Sequence, residues 1–469
     1  MKKPALALAV LLTFAGLVRG DDAAVTWQTA VEILARIKAP VFPQRDFAIT
    51  DYGAIAGGEK DCSAALRKAI ETCSAAAGGR VVVPAGVFLT GAVHLRSNVN
   101  LHLVEGATLR FSTDPAAYLP VVYTRWEGIE CMNYSPFIYA YEQENIAVTG
   151  AGTLDGQASD ENWWAWARKD PKNQNLSPAS PDAKRLGELG DRAVPVAERL
   201  LGAGHFLRPN FFQPYRCRNV LIEGVHIRRS PMWEVNPVLC TNVTVRNLDI
   251  LSHGPNNDGC NPESSRDVLI EGCTFDTGDD CIAIKSGRND DGRRVGVAAE
   301  NLIIRKCTMK DGHGGVVIGS ETAGGCRNVF IEDCNMDSPN LERALRFKSN
   351  ARRGGVVENI FMRRVTIGRV AEAIITVDFL YEEGPNGPHQ PVLRNVQIEN
   401  VTCQSSPRVF YVASFPGAVV DGIRLAHCTF AGVESTEFIQ HAGRIEFDDV
   451  NILPLKKVDS LSSRTVAGD

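Results

Sequence analysis

Asn219-Val-Leu-Ile-Glu-Gly-Val, Asn242-Val-Thr-Val-Arg-Asn-Leu and Asp267-Val-Leu-Ile-Glu-Gly-Cys are three settings of one phrase. It returns as Asn301-Leu-Ile-Ile-Arg-Lys-Cys, Asn328-Val-Phe-Ile-Glu-Asp-Cys, Asn359-Ile-Phe-Met-Arg-Arg-Val and Asn395-Val-Gln-Ile-Glu-Asn-Val, with starts 23 to 36 residues apart. Each phrase opens on a turn residue and continues as a short run of period two, which is a strand. Strands recurring at this interval, none long enough to bury its apolar face alone, stack as a solenoid. A leucine-rich repeat has a similar period but needs a Leu ladder and a helical segment in each unit, and neither is evident. The expected fold is all-β, a right-handed single-stranded parallel β-helix. Cys273, Cys307 and Cys334 each fall six residues after their repeat start, so they are expected to stack inward as core-filling thiols.

Working outward, the stretch before the repeats supplies the cap that an open stack requires. Asp61 is placed to N-cap a helix whose apolar face is Leu66, Ala69, Ile70 and Cys73. Strand-like runs follow at Val81 to Val83, Val99 to Val104 and Ile146 to Val148. Between Gln157 and Tyr215 the pattern breaks into a polar insertion that carries Trp163, Trp164 and Trp166. Such an insertion builds the wall of a binding site or merely decorates the solenoid. The tryptophans supply either a flat face for a sugar or a small packed cluster.

At the amino terminus, Met1 and two lysines precede an apolar run from Ala5 to Val18 that ends in small or polar residues near Gly20. This is the pattern of a secretory signal, and it is shorter than the ~20 apolar residues of a membrane span. The expected organisation is a signal peptide at 1–20, an extension at 21–46, the solenoid at 47–455 with its insertion at 157–215, and a tail at 456–469. The expected protein is a soluble monomer in a periplasm or outside the cell, with no membrane partner. A net charge of −5 argues against nucleic acid as partner. Arg343, Arg346, Lys348, Arg352 and Arg353 nevertheless share an acid-free stretch, which suits an anionic ligand or a solvated face. The thirteen cysteines are odd in number, so at least one stays unpaired. Cys62 and Cys73 are about 16 Å apart along a helix, too far to bridge. No Cys-x-x-Cys pair occurs, and no metal or cofactor is expected.

Four successive repeats become unusual at the same place. Asn257-Asp258-Gly-Cys-Asn-Pro-Glu263-Ser264 is followed by Asp279-Asp280-Cys-Ile-Ala-Ile-Lys285-Ser286, His313-Gly-Gly-Val-Val-Ile-Gly-Ser320 and Arg343-Ala-Leu-Arg346-Phe-Lys348-Ser349. Aligning the serines puts Cys260, Ile282, Val316 and Leu345 toward the core, and turns Glu263, Lys285, Arg346 and Lys348 outward. In that register Asp258 is level with Asp280, and Asp279 with His313, on coils about 4.8 Å apart. One Asp alone reads as an Asx turn and a lone His in a Gly-rich loop as solvated; all of them at one register read as a site. Crowded carboxylates push one another's pKa values apart, which yields an acid beside a base. Glycoside hydrolysis requires that combination. Arg346 and Lys348 can hold a sugar carboxylate, Arg by a bidentate fork. Lys285, its neighbour Glu263 and Arg288 just past that strand are further substrate-binding candidates.

Asn256-Asn257-Asp258, Gly278-Asp279-Asp280, Gly312-His313-Gly314 and Arg346-Phe347-Lys348 resemble, in order, the four motifs of the polygalacturonases of glycoside hydrolase family 28. Asn257 stands where that family commonly has Thr, and Phe347 where it commonly has Ile; neither changes a reacting group. The similarity runs from about Phe47 to beyond Val401, opening with Asp51-Tyr-Gly-Ala. It implies inverting hydrolysis of α-1,4-galacturonosyl linkages of pectin. Asp279 matches the general acid, Asp258 and Asp280 the holders of the attacking water, and His313 the group supporting the acid's ionisation. Arg346 and Lys348 match the galacturonate-binding pair, which rhamnogalacturonan hydrolases of the family generally lack; Asn256 belongs to the first motif. The wider phrases around Lys285 and His313 are similar to those of bacterial exo-acting members, so exo action is favoured over endo. The insertion 157–215 is the expected wall closing one end of the cleft. A Ca²⁺-dependent pectate lyase and a non-catalytic β-helix glycan binder are the two alternative readings.

Overall fold

Val, Ile and Leu at alternate places in each phrase leave every strand with an apolar edge, and the chain buries it by winding. The computed structural model describes residues 25–435 and 437–455; the expected leader at 1–20 and tail at 456–469 lie outside the described residues. The phrase strands pair in parallel, one coil on the next, from Arg218–Glu223 through Thr241–Arg246, Arg266–Glu271, Ala299–Arg305, Cys326–Glu332 and Val356–Arg363 to Val392–Glu399. Val220, Val243, Val268, Leu302, Val329, Ile360 and Val396 stand level along the stack and are buried. The architecture is the expected right-handed parallel β-helix.

The opening Asn of each phrase has a double role. Asn98, Asn145, Asn219, Asn242, Asp267, Asn301, Asn328, Asn359 and Asn395 all have φ between 53° and 67°, a left-handed turn that Asn tolerates better than most residues. From Asn145 onward each side-chain amide donates to the Oδ1 of the preceding coil, as Asn328 does to Asn301 at 3.0 Å and Asn359 to Asn328 at 3.0 Å. Asp267 interrupts this ladder because a carboxylate has no N–H to give to Asn242.

The interruption is filled by the amino-terminal extension. Helix α1, Trp27–Arg36, begins on a Thr26 capping box and lays Trp27, Ala30, Ile33 and Leu34 on Leu269, Ile303, Phe330 and Phe361. Immediately after it, the Lys38 N–H donates to Asn242 Oδ1 at 2.8 Å, and Arg36 donates to Asp267 Oδ1 through Nη2 at 2.7 Å. Residues 27–38 thus strap several coils together from outside.

Helix α2, Ser63–Ala75, covers the amino-terminal end of the stack with buried Leu66, Ala69, Ile70 and Cys73. Its Asp61 cap lies one place earlier than the N-cap position, yet the carboxylate still accepts the Ser63 N–H at 2.9 Å. All thirteen cysteines are buried and free. Cys273, Cys307 and Cys334 line up inside, which agrees with their expected role as filling.

Candidate functional site

The sheet that carries the unusual segments runs through Ile282–Ile284, Val316–Ile318, Arg343–Lys348 and Ala373–Asp378. Cys260 pairs with Ile282, Ile282 with Val316 and Val316 with Leu345, which is the serine register. Asp258 is therefore level with Asp280 and Asp279 with His313. One oxygen from each of Asp258, Asp279 and Asp280 lies within 4.8 Å of the others. The coils can approach this closely partly because residue 312 is glycine: its φ is +156°, and a Cβ there would meet the Asp279 carbonyl at 2.7 Å. The His313 N–H donates to that same carbonyl at 3.0 Å.

The three carboxylates live in different surroundings. Asp258 is buried, and its Oδ2 accepts from Asn261 Nδ2 at 2.7 Å with Lys285 Nζ at 3.7 Å. Burial, then the Asp279 charge, push Asp258 well above the usual carboxylate range in spite of Lys285. Asp280 Oδ2 accepts from Lys348 Nζ at 2.7 Å, while its Oδ1 is buried without a partner. Asp279 Oδ1 lies 2.9 Å from His313 Nδ1. Burial alone pushes Asp279 up, but the His313 hydrogen bond and charge, with Lys348 and Lys285, outweigh it and hold the carboxyl at about 2. The same hydrogen bond raises His313 to about 9 against its partial burial. At neutral pH the proton of this pair thus resides on the imidazole, not on the carboxyl that matches the family's general acid.

The other expected residues are placed as follows. Arg346 and Lys348 face outward on one strand beside Tyr381, whose ring centre lies 6.0 Å from the Arg346 guanidinium and 5.6 Å from Lys348 Nζ. Lys285 is buried, 3.0 Å from Glu321 and 4.5 Å from the centre of the Trp233 ring. Asn256 lines the cavity and accepts from Arg208 Nη2 at 2.6 Å. Arg288 also lines it, paired with Glu127 at 3.0 Å and Glu382 at 3.4 Å. Glu263 is not brought to the cavity: it is fully buried against Arg125, 3.1 Å away. It does point away from the core, as the register requires, but a hairpin covers that strip of the sheet.

That hairpin, Val122–Trp126 with Ile129–Asn133, belongs to no repeat. Its two-residue turn, Glu127-Gly128, has positive φ at both places, 41° and 82°, the geometry of a type I′ connection. The tip sets Glu127 at the cavity. The insertion 157–215 stands behind the hairpin: helix α3, Ser180–Asp191, contributes Leu186, which packs with Trp126 and Ile129. It gives the site's framework Arg208, which also donates to the Pro231 and Pro255 carbonyls. The tryptophans form the packed alternative: Trp163 is buried among Tyr118, Phe137 and Trp166.

Glu127, Trp233, Glu321, Tyr381 and Glu382 were not singled out in the sequence, although they line the cavity. Carrying the register one coil back from Asp258 would have reached Trp233, since Val235 pairs with Cys260. Glu321 directly follows the aligned Ser320; nothing periodic marks Glu127, Tyr381 and Glu382.

Residues 204–426, which contain all four motif segments, match the profile of Glycosyl hydrolases family 28. The chain is 26% identical over 404 residues to a probable polygalacturonase of Vitis vinifera, covering 81% of this chain and 73% of that one. It is 28% identical over 386 residues to the exo-poly-alpha-D-galacturonosidase of Dickeya chrysanthemi, covering 76% and 62% respectively. Among solved structures, a hyperthermoactive exopolygalacturonase from Thermotoga maritima superposes with a TM-score of 0.87 and 43% identity, covering 91% of this chain and 96% of that one. Identity at that level along nearly the whole of both solenoids, with the site motifs inside the matched profile, makes this chain a member of glycosyl hydrolases family 28.

Proposed function

We propose that this protein hydrolyses the α-1,4-galacturonosyl linkages of polygalacturonate with inversion, removing sugars from a chain end, and that the leader at 1–20 exports it as a monomer to the periplasm or beyond. The observation that carries the reading is the hydrogen-bonded His313–Asp279 couple, whose Asp279 lines the same small cavity as Asp280, with Asp280 Oδ1 buried and unpartnered. Within the hydrogen bond the proton passes from His313 to Asp279 as a bound uronate excludes water, and from Asp279 to the leaving oxygen. A water held between Asp258 and Asp280 Oδ1 attacks C1 and gives a proton to Asp280. The old C1–O bond breaks, a new one forms, and one water is consumed; Asp280 then releases its proton to solvent and His313 recovers one from it. Arg346 and Lys348 hold the sugar's carboxylate beside the bond being cut.

A calcium-dependent elimination fits the site less well. Three carboxylates at this spacing are an adequate donor set for a cation, but Lys348 and Lys285 already supply positive charge to Asp280 and Asp258. The exopolygalacturonase relative supports action at chain ends.

The test is a time course on polygalacturonate with product sizing and NMR of the first-formed anomer. Monomer from the outset, as the β-anomer and without ultraviolet-absorbing unsaturated product, is expected. Asp279→Asn is expected to lower kcat by at least about 10²-fold while still binding oligogalacturonate. Unsaturated products that disappear with EDTA would overturn the reading in favour of a lyase, and full binding without any cleavage by the native protein would leave only a binder.

A further inference from the structure

The cavity that holds Asp258, Asp279 and Asp280 measures about 120 Å³, and a second one of about 470 Å³ adjoins it. Three residues line both: Glu127, Arg288 and Glu382. They come from separate places, the hairpin tip, the segment after Lys285 and the loop after Ala373–Asp378, and they are joined to one another. Arg288 donates to Glu127 Oε2 through Nη1 at 3.0 Å and to Glu382 Oε2 through Nη2 at 3.4 Å. The hairpin tip is seated on this junction by the Arg288 N–H, which donates to the Gly128 carbonyl at 3.0 Å. A Cβ at Gly128 would come within 2.9 Å of Arg288 Cβ, so no side chain larger than hydrogen fits there.

We infer that the Glu127–Arg288–Glu382 chain is a partition that restricts the closed side of the cleft to one sugar, and that the cavity behind it accepts a second galacturonate once it is opened. This rests on the polygalacturonase reading. The partition works by volume and by charge. Side chains fill the passage, and two carboxylates against one guanidinium present a net negative charge to an anionic chain. The second cavity is lined by Lys184, Arg288 and Arg352 against Glu127, Glu188, Asp191, Glu382 and Glu383, with Trp126 and Ile129 as an apolar wall. Arg352 is held by Asp191 and Glu383 and Lys184 lies beside Glu188, so once Glu127 and Glu382 are neutralised the charges balance and Arg288 is the cation left without a carboxylate. Freed of its two carboxylates, Arg288 becomes a fork for the second sugar's carboxylate.

Glu127 and Glu382 both have positive φ, 41° and 49°, so Asn is the substitution that shortens each side chain, removes its charge and suits its backbone. The experiment compares the native protein with Glu127→Asn and with Glu127→Asn/Glu382→Asn on polygalacturonate, sizing products at the earliest times. The native protein is expected to release monomer, and the double variant to raise the initial dimer-to-monomer ratio at least tenfold, with the single variant between. A folded, active double variant that still releases monomer alone overturns the partition and leaves the exo reading standing. A ladder of oligomers from the native protein overturns both. Calorimetry in an Asp279→Asn background gives a readout that needs no turnover. There the preference for digalacturonate over galacturonate is expected to rise tenfold on opening the partition, and an unchanged preference overturns it.

Discussion

His313 Nδ1 lies 2.9 Å from Asp279 Oδ1, across a sequence separation of 34 residues. Each partner moves the other's titration. His313 is raised from 6.5 to about 9, so its contribution to stability is whole below pH 6.5 and is lost as pH rises through 9. Asp279 is lowered from 3.8 to about 2, so its contribution is whole above pH 3.8 and is lost as pH falls through 2. The pair is at full strength between these ordinary values and weakens on both sides. An NMR titration of the His313 ring is expected to show a midpoint near 9, falling by about one unit or more in Asp279→Asn. The same midpoint in both proteins would dispose of the ion pair.

Lys348 and Asp280 form a buried pair at 2.7 Å. Lys348→Met strands the carboxylate, an expected cost of about 3–5 kcal/mol. Denaturant midpoints of the native protein and the variant check this, and a loss of less than about 1 kcal/mol would count against the pairing.

Asn328 both donates to Asn301 and accepts from Asn359, at a φ of 58°. Asn328→Ala loses the two bonds and strains the turn, an expected cost of about 2–3 kcal/mol. Asn328→Gly loses the bonds without the strain and is expected to be milder by about 1 kcal/mol. If alanine proved the better tolerated, the left-handed backbone would not be what selects Asn here.

Trp27 packs on Phe330 and Phe361 and under the Arg363 guanidinium, 3.8 Å from its ring centre. Trp27→Ala is expected to cost about 2 kcal/mol. Since α1 touches neither the catalytic cavity nor its sheet, activity per folded molecule is expected to stay constant. A drop in kcat/KM without a drop in stability would show that the strap reaches the site.

How much of this was legible depended on periodicity. The four serine-ended segments repeat, so their pairing, and with it the meeting of Asp258, Asp279, Asp280 and His313, follows from counting. The apolar residues at the outward third place of the phrase, Leu269, Ile303, Phe330 and Phe361, were also a legible sign that something covers that face; the helix that does so lies more than two hundred residues away. Glu263 shows the limit. Its parity correctly turned it away from the core, but parity cannot say whether an outward side chain meets water or the Arg125 of a covering hairpin.

By itself the sequence determined the solenoid, its register and the reacting groups. A strand of period two presents its residues alternately, and stacking identical phrases leaves only one alignment that keeps every apolar edge inside. Only the tertiary structure decided which loops line the cavity and which charges face one another across it. The hairpin tip at Glu127, the insertion that buttresses it and the Arg288 junction belong to no repeat, and the interaction of facing charges depends on separations of a few ångströms, distances that linear order does not contain.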